Sequence, residues 1–330
     1  MGVTLKDIAK ELNLSKTTVS FVLSGLGDQK GISPRTQKRI LDYTKSINFQ
    51  PNLLARSLIS GKSHTIGVVV PSIGDTFYAE LVQDIEQAAK KRGYIIVICS
   101  SERDKDQERR MIRNLRANQV DGLIIAPTEY AREEIGLLEK DNFPFVLVDR
   151  YFPDVKTNYV VADDREATLA LVNDMLGKGR RKIAFITPDT GVTAVKLRKA
   201  AYREAMERSA AGFDPALVRE VRRDDYQVHI VEVMDRLLGD VPDLDAMIFA
   251  THYLAQEAVL YLYKRRIDID RFALACFHGN EVVKALAPHM AIARVPLEGF
   301  AGEAVEVILD CERAAGEKVQ KVIPSSISTG

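Results

Sequence analysis

The chain has 330 residues, 46% hydrophobic and 28% charged; at about 100–200 residues per domain it predicts two or three globular domains, which excludes a disordered tail protein or a mini-scaffold. The 46 basic and 46 acidic residues cancel, but residues 1–62 hold ten Lys/Arg against four Asp/Glu, a surplus of six that the remainder balances with opposite sign. A short basic end on a longer acidic body suggests a nucleic-acid-binding module.

Residues 4–50 predict three short helices. Thr4 with Asp7 forms a capping-box pattern, and Leu5, Ile8, Ala9 and Leu12 recur on one helical face. After a turn at Asn13-Leu14, Ser15 caps a second helix, Lys16–Leu23, with Val19, Val22 and Leu23 inward. Ser33 and Pro34 open a third, whose buried face is Ile40, Leu41, Thr44 and Ile47. Two helices joined by a tight turn with a third packed on them make a helix-turn-helix, whose second helix enters the major groove; the alternative is a plain three-helix bundle. At about 100° per residue, Thr17, Phe21 and Ser24 point away from the inward set. An outward Phe21 beside Lys16, Thr17, Thr18 and Ser20 favours groove recognition, since short polar side chains can reach phosphates and base edges.

From His64 onward, strand-length apolar runs alternate with amphipathic helical stretches, as in βα units around parallel sheets. The predicted strands are 64–71, 94–101, 121–127, 144–150, 159–162, 182–188, 218–222, 246–252, 272–278, 290–296 and 321–324, with clear helices at 78–93 and 303–316. So many strands predict two sheets and two lobes. Cys99, Cys276 and Cys311 lie far apart without a CxxC, which argues against a zinc ribbon or a secreted disulfide framework. No apolar run reaches membrane-spanning length and the N-terminus is polar, so a soluble, cytoplasmic protein is expected.

The string TLKDIAKELNLSKTTVSFVLSG, followed by ISPRTQKRILDYTKSINFQPNLLARSL and HTIGVVVP, resembles the lactose-repressor (LacI/GalR) family of bacterial transcription regulators, closely over the first 60 or so residues and more loosely beyond. The resemblance implies a small all-α helix-turn-helix domain (1–50), a hinge helix and linker (51–63), and a two-lobed α/β core like that of periplasmic binding proteins. Its first lobe would be 64–162 plus 290–320 and its second 163–289 plus 321–330. It further implies a homodimer that binds double-stranded operator DNA and is controlled by a small-molecule effector between the lobes, with no cofactor and no membrane role.

Carried over residue by residue, the family's base-reading positions fall on Lys16, Thr17 and Phe21. Thr4, Ser15 and Thr18 match capping or phosphate-contacting positions. PNLLARSL (51–58) matches the hinge helix, with Ala55 and Arg56 at the DNA and Leu58 as the minor-groove wedge. Where family members often carry a polar or basic residue, Phe21 offers only apolar contact, for instance to a thymine methyl. The effector positions fall on Phe77, Tyr78, Arg150, Arg198, His252, Tyr253 and His278. Members that bind sugars or purines commonly place Asp where His278 stands and an Asn-Asp pair around Thr251–Tyr253. No acid occupies either place here, which favours a sugar phosphate or sugar acid over a neutral sugar.

A solute-binding receptor would share the core without residues 1–60. An enzyme would need a catalytic constellation: HExxH, GxSxG and GxGxxG are absent and the five histidines (His64, His229, His252, His278, His289) are scattered. Gly61-Lys62-Ser63 resembles the end of a phosphate-binding loop, but Arg56 stands where that motif needs glycine. With no leucine heptads after the last predicted strand, a coiled-coil tetramer tail is not expected.

Overall fold

The computed structural model describes residues 3–49, 61–310 and 317–328. It divides into two units, one containing the N-terminal helices and one the α/β core.

In the first unit, α1 (Leu5–Glu11), α2 (Lys16–Leu23) and α3 (Pro34–Ser46) enclose a small core of Ile8, Ala9, Leu12, Val19, Val22 and Ile40. Both halves of the Thr4–Asp7 capping box form. The turn between α1 and α2 is made by Asn13 at φ 53°, a left-handed conformation that asparagine tolerates well. Ser15 then accepts a hydrogen bond from the Thr18 amide at 2.9 Å and starts α2. Arg39 of α3 donates to the Leu12 carbonyl at 2.7 Å, tying the third helix to the end of the first. One expected core position differs: Leu41 is 49% exposed, because Ile40 and Thr44 carry the buried stripe of α3.

All eleven predicted strands form. In chain order the core runs β1 (Thr65–Val70), α4 (Thr76–Lys91), β2 (Ile95–Ser100), α5 (Lys105–Ala117), β3 (Gly122–Ile125), α6 (Arg132–Lys140), β4 (Phe145–Val148), β5 (Tyr159–Ala162), α7 (Asp164–Gly177), β6 (Ile183–Pro188), α8 (Thr193–Arg208), β7 (Val218–Val221), α9 (Tyr226–Asp240), β8 (Ala246–Phe249), α10 (His252–Arg265), β9 (Ala273–Phe277), α11 (Glu281–Leu286), β10 (Ala291–Arg294), α12 (Leu297–Asp310), β11 (Gln320–Ile323) and β12 (Ser326–Ser328). The first sheet has the order β11-β5-β4-β3-β1-β2 and the second β12-β10-β9-β8-β6-β7. The second is parallel except for β12, an antiparallel strand against β10 that the sequence reading lacked.

The sheets correct the expected lobe boundaries. β10 pairs with β9 in the second lobe while α12 packs on α4 and the first sheet, so that crossing falls after Arg294, not at 290. β11 pairs with β5 in the first lobe, so the last crossing follows Ile323, not 320. Central strands such as β3 and β4 are buried throughout, as parallel strands covered on both faces must be. Each lobe therefore has its own apolar core, and the loops at the carboxyl ends of the strands are left to face one another across a cleft.

Candidate functional site

In the helical unit, α2 buries Val19 and Val22 and leaves Lys16 and Thr17 exposed, with Thr18, Ser20 and Phe21 half-buried. Phe21 lies outside the apolar core, and the Lys30 ammonium stands 5.3 Å from its ring centroid. All eight Lys/Arg of residues 3–49 are exposed against four Asp/Glu, so the unit presents a cationic surface. Thr4, Ser15 and Thr18 are engaged at helix starts, Ser15 Oγ with Thr18 Oγ1 at 2.8 Å. Ala55, Arg56 and Leu58 lie outside the described residues.

In the core, all seven residues expected at the effector site line one cavity of about 70 Å³. Phe77 and Tyr78 come from the first turn of α4 and Arg150 from the end of β4; Arg198 projects from α8, His252 and Tyr253 open α10, and His278 follows β9. Phe77 sits edge-on to the His278 ring at 4.9 Å between centroids. An adjoining cavity of about 200 Å³ shares Asp75, Arg103, Arg223, His252 and Tyr253 and adds Ser72, Gly74, Thr76, Tyr226, Gln256 and Asn280.

Sequence reasoning missed Asp75, Arg103, Asp149 and Arg223. Each lies within five residues of a strand's carboxyl end, as do Arg150 and His278, so strand position carried the signal. Backbone strain marks the same places: Glu102, Arg103, Asp149 and His278 all take positive φ, at 47°, 62°, 65° and 53°. Non-glycine residues in that region cost about 1 kcal/mol or more each and tend to cluster where function fixes the geometry.

Acids nevertheless reach the cleft from other positions. Although no acid stands at the two positions noted above, Asp75 accepts from His252 Nε2 at 3.0 Å and from the Phe77 amide at 3.0 Å. Burial opposes ionisation of Asp75, but hydrogen bonds from His252 and the Phe77 amide, with Arg103 nearby, more than offset it, and its pKa falls below the ordinary value. Asp149 accepts from the Tyr78 hydroxyl at 2.8 Å and lies 3.2 Å from Arg150 Nε.

Arg198 is held by the buried Asp164, at 2.7 Å from Nε and 2.6 Å from Nη2, while Nη1 donates to the Ala250 carbonyl at 2.7 Å. Three of its roughly five N–H donors are thus committed inside the protein. Burial pushes the Asp164 carboxyl up to about 6 and Arg198 pulls against it. His278 is driven the other way, to about 4, by burial first and then by His252. It is neutral at pH 7, and its Nε2 makes no hydrogen bond among the described residues although Glu80 approaches to 3.4 Å.

Polar contacts bridge the lobes at several points. His252 meets Asp75, Glu129 accepts from the Gly191 amide (2.7 Å) and the Thr190 hydroxyl (3.1 Å), and Thr193 donates to the Tyr151 carbonyl at 2.9 Å. The inner cavity, about 70 Å³, is the smaller of the two, against about 200 Å³ for the outer one. Among the described residues no group of three or more His, Cys, Asp or Glu is arranged to hold a metal, and no helix is long and apolar enough to cross a membrane.

Comparison with known proteins matches residues 4–52 to the bacterial regulatory proteins of the lacI family. Residues 63–297 match the periplasmic binding proteins and sugar binding domain of the LacI family. The catabolite control protein A of Priestia megaterium is 30% identical over 312 residues, covering 93% of this chain and 92% of that protein. A crystal structure of the Lac repressor dimer bound to operator and the anti-inducer ONPF superposes with a TM-score of 0.87 at 20% identity, over 100% of this chain and 98% of the other. The Cra transcriptional dual regulator from Pseudomonas putida, in complex with fructose 1-phosphate, gives 0.69 at 24% identity over 81% and 98%. At these identities the two structures speak for the fold alone.

Proposed function

Since this chain belongs to the LacI family of bacterial regulatory proteins, we propose that it acts as a homodimeric repressor whose operator affinity is set by a small molecule captured between the lobes. The family makes it a DNA-binding transcription regulator with an effector-binding domain; the receptor alternative does not account for residues 4–52. The observation that carries the mechanism is the meeting of side chains from both lobes in one cavity. A ligand that touches both lobes binds the open and closed arrangements differently, and only such a difference can shift the equilibrium that the DNA-binding ends sense.

On the DNA side, Lys16, Thr17 and Phe21 would read bases in the major groove, while Thr4, Ser15, Thr18 and Ser20 position the helix on phosphates. Ala55, Arg56 and Leu58 would act at the centre of the operator. The dimer reading draws support from β2, the edge of the first sheet, where Ile95, Val97 and Ile98 are exposed. Bare apolar edges invite pairing with a second copy.

The two solved neighbours carry different small molecules, ONPF in one and fructose 1-phosphate in the other, so the shared fold does not choose the effector. This chain's own residues favour an anionic one, such as a sugar phosphate or sugar acid. Arg103, Arg150, Arg198 and Arg223 outnumber Asp75, Asp149 and Asp164 by one while His278 is neutral.

A mobility-shift assay on genomic fragments tests the functional reading. The full chain should select specific fragments and the 62–330 fragment, which keeps the core of both lobes, should bind none; specific binding by that fragment would overturn the assignment.

A further inference from the structure

The four cleft arginines fall into two classes by their partners. Arg198 commits three donors to Asp164 and the Ala250 carbonyl, and its guanidinium lies 4.1 Å from the Phe277 ring centroid. Arg150 rests against Asp149 and the Tyr78 ring. The other two are poorly satisfied. Among the described residues, Arg103 comes no closer to a carboxylate than Asp75 at 3.7 Å, and its buried Nε has no hydrogen-bond partner. Among the described residues, Arg223 hydrogen-bonds the Thr190 hydroxyl at 3.5 Å and no carboxylate.

These two residues come from opposite lobes, Arg103 from the turn after β2 and Arg223 from the turn after β7, and both line the inner and the outer cavity. The left-handed Glu102–Arg103 pair is a strained way to place a charge, and it places it in the cleft. Burial, then the charges of Arg150 and Arg103, make protonated Arg223 less favourable than an ordinary arginine. Asp75 cannot relieve this well, because its carboxylate already serves His252 and the Phe77 amide.

We propose that Arg103 and Arg223 form an anion clamp in the outer cavity, in which a phosphate or carboxylate group of the effector bridges the two guanidiniums and thereby draws the lobes together. Guanidinium forks bind such groups through paired, charge-assisted hydrogen bonds. The same two charges repel when nothing lies between them, so the anion acts on closure as well as on affinity. The clamp rests on the reading of the cleft as the effector site, and adds which end of the ligand is gripped and by which residues.

The test uses the full-length protein with inorganic phosphate, gluconate and glucose as probes at constant ionic strength, followed by melting temperature. Phosphate or gluconate should raise the wild-type melting temperature and glucose should not. Arg103→Gln and Arg223→Gln should each weaken the anion response at least tenfold in midpoint concentration, while Lys199→Gln on the outer face of α8 leaves it intact. Without ligand, either cleft substitution should leave the melting temperature equal or higher, since a like-charge contact is relieved; a fall would show a merely structural role. An anion response that survives in the double variant, or none in the wild type, overturns the clamp. Failure of the wild type to bind any DNA in the mobility shift would instead strike the functional reading.

Discussion

His278 occupies a position from which its environment removes charge. Burial and the neighbouring His252 hold its pKa at about 4 where an ordinary histidine sits near 6.5, with Asp75, Glu80, Arg198 and Arg294 also in its surroundings. The unfolded chain therefore takes up a proton as pH falls below 6.5 while the folded protein resists until about 4. The neutral ring contributes stability above pH 6.5 that is lost as pH falls through 4. Asp164 has the opposite slope between its ordinary value and about 6, but it is present with or without His278 and cancels in a comparison. The difference in unfolding free energy between wild type and His278→Gln should shift against the wild type by about 2–3 kcal/mol between pH 7 and pH 4. Urea denaturation across that range measures it, and a constant difference would mean that the ring titrates normally. The sequence showed that a histidine stands after β9; it could not show the burial that keeps it neutral, which depends on Phe77 and His252 arriving from distant elements. The same holds for Arg198, whose partner Asp164 is 34 residues away and takes up donors that the sequence suggests are available to a ligand.

Elements were the most legible scale. Strand-length apolar runs and capping residues give helices and strands through local chemistry, and α2 spans the predicted residues. What failed was of two kinds. β12 has three residues and exists only because β10 offers an edge, which no local pattern announces. The lobe crossings shifted because α12 and β11 are assigned by tertiary packing and not by their own sequences. The edge strand β2 carries a prediction. Ile95 and Val97 are 59% and 41% exposed and two residues apart, hence on one face of the strand. If that face meets a second copy, Val97→Asp buries an unpaired charge at the interface, at a cost of several kcal/mol. Light scattering should then show a folded monomer in place of a dimer, and a Val97→Asp protein that stays dimeric at low concentration would place the interface elsewhere.

At the scale of the molecule, the informative quantity is how charge is divided. A sequence pI near 7.0 conceals a surplus of six positive charges in residues 1–62 and the opposite six in the remainder. The cations Lys6, Lys10, Lys16, Lys30, Arg35, Lys38, Arg39 and Lys45 are all exposed. With the net positive charge concentrated in residues 1–62, DNA affinity is expected to come mainly from the basic module, which a dimer would present twice. Each neutralised phosphate releases condensed counterion, and with about 6–10 such contacts affinity falls by roughly 10³–10⁵ between about 50 and 200 mM salt. Operator binding by the full chain should show a loss of that order in a filter-binding or anisotropy titration, with nonspecific DNA following a similar slope from a weaker start. The comparison separates charge from shape, because apolar contacts such as that expected of Phe21 release no counterions and leave the slope unchanged. Phe21→Ala should therefore lower operator affinity in parallel at every salt concentration. A wild-type affinity indifferent to salt would contradict the electrostatic reading of residues 1–62.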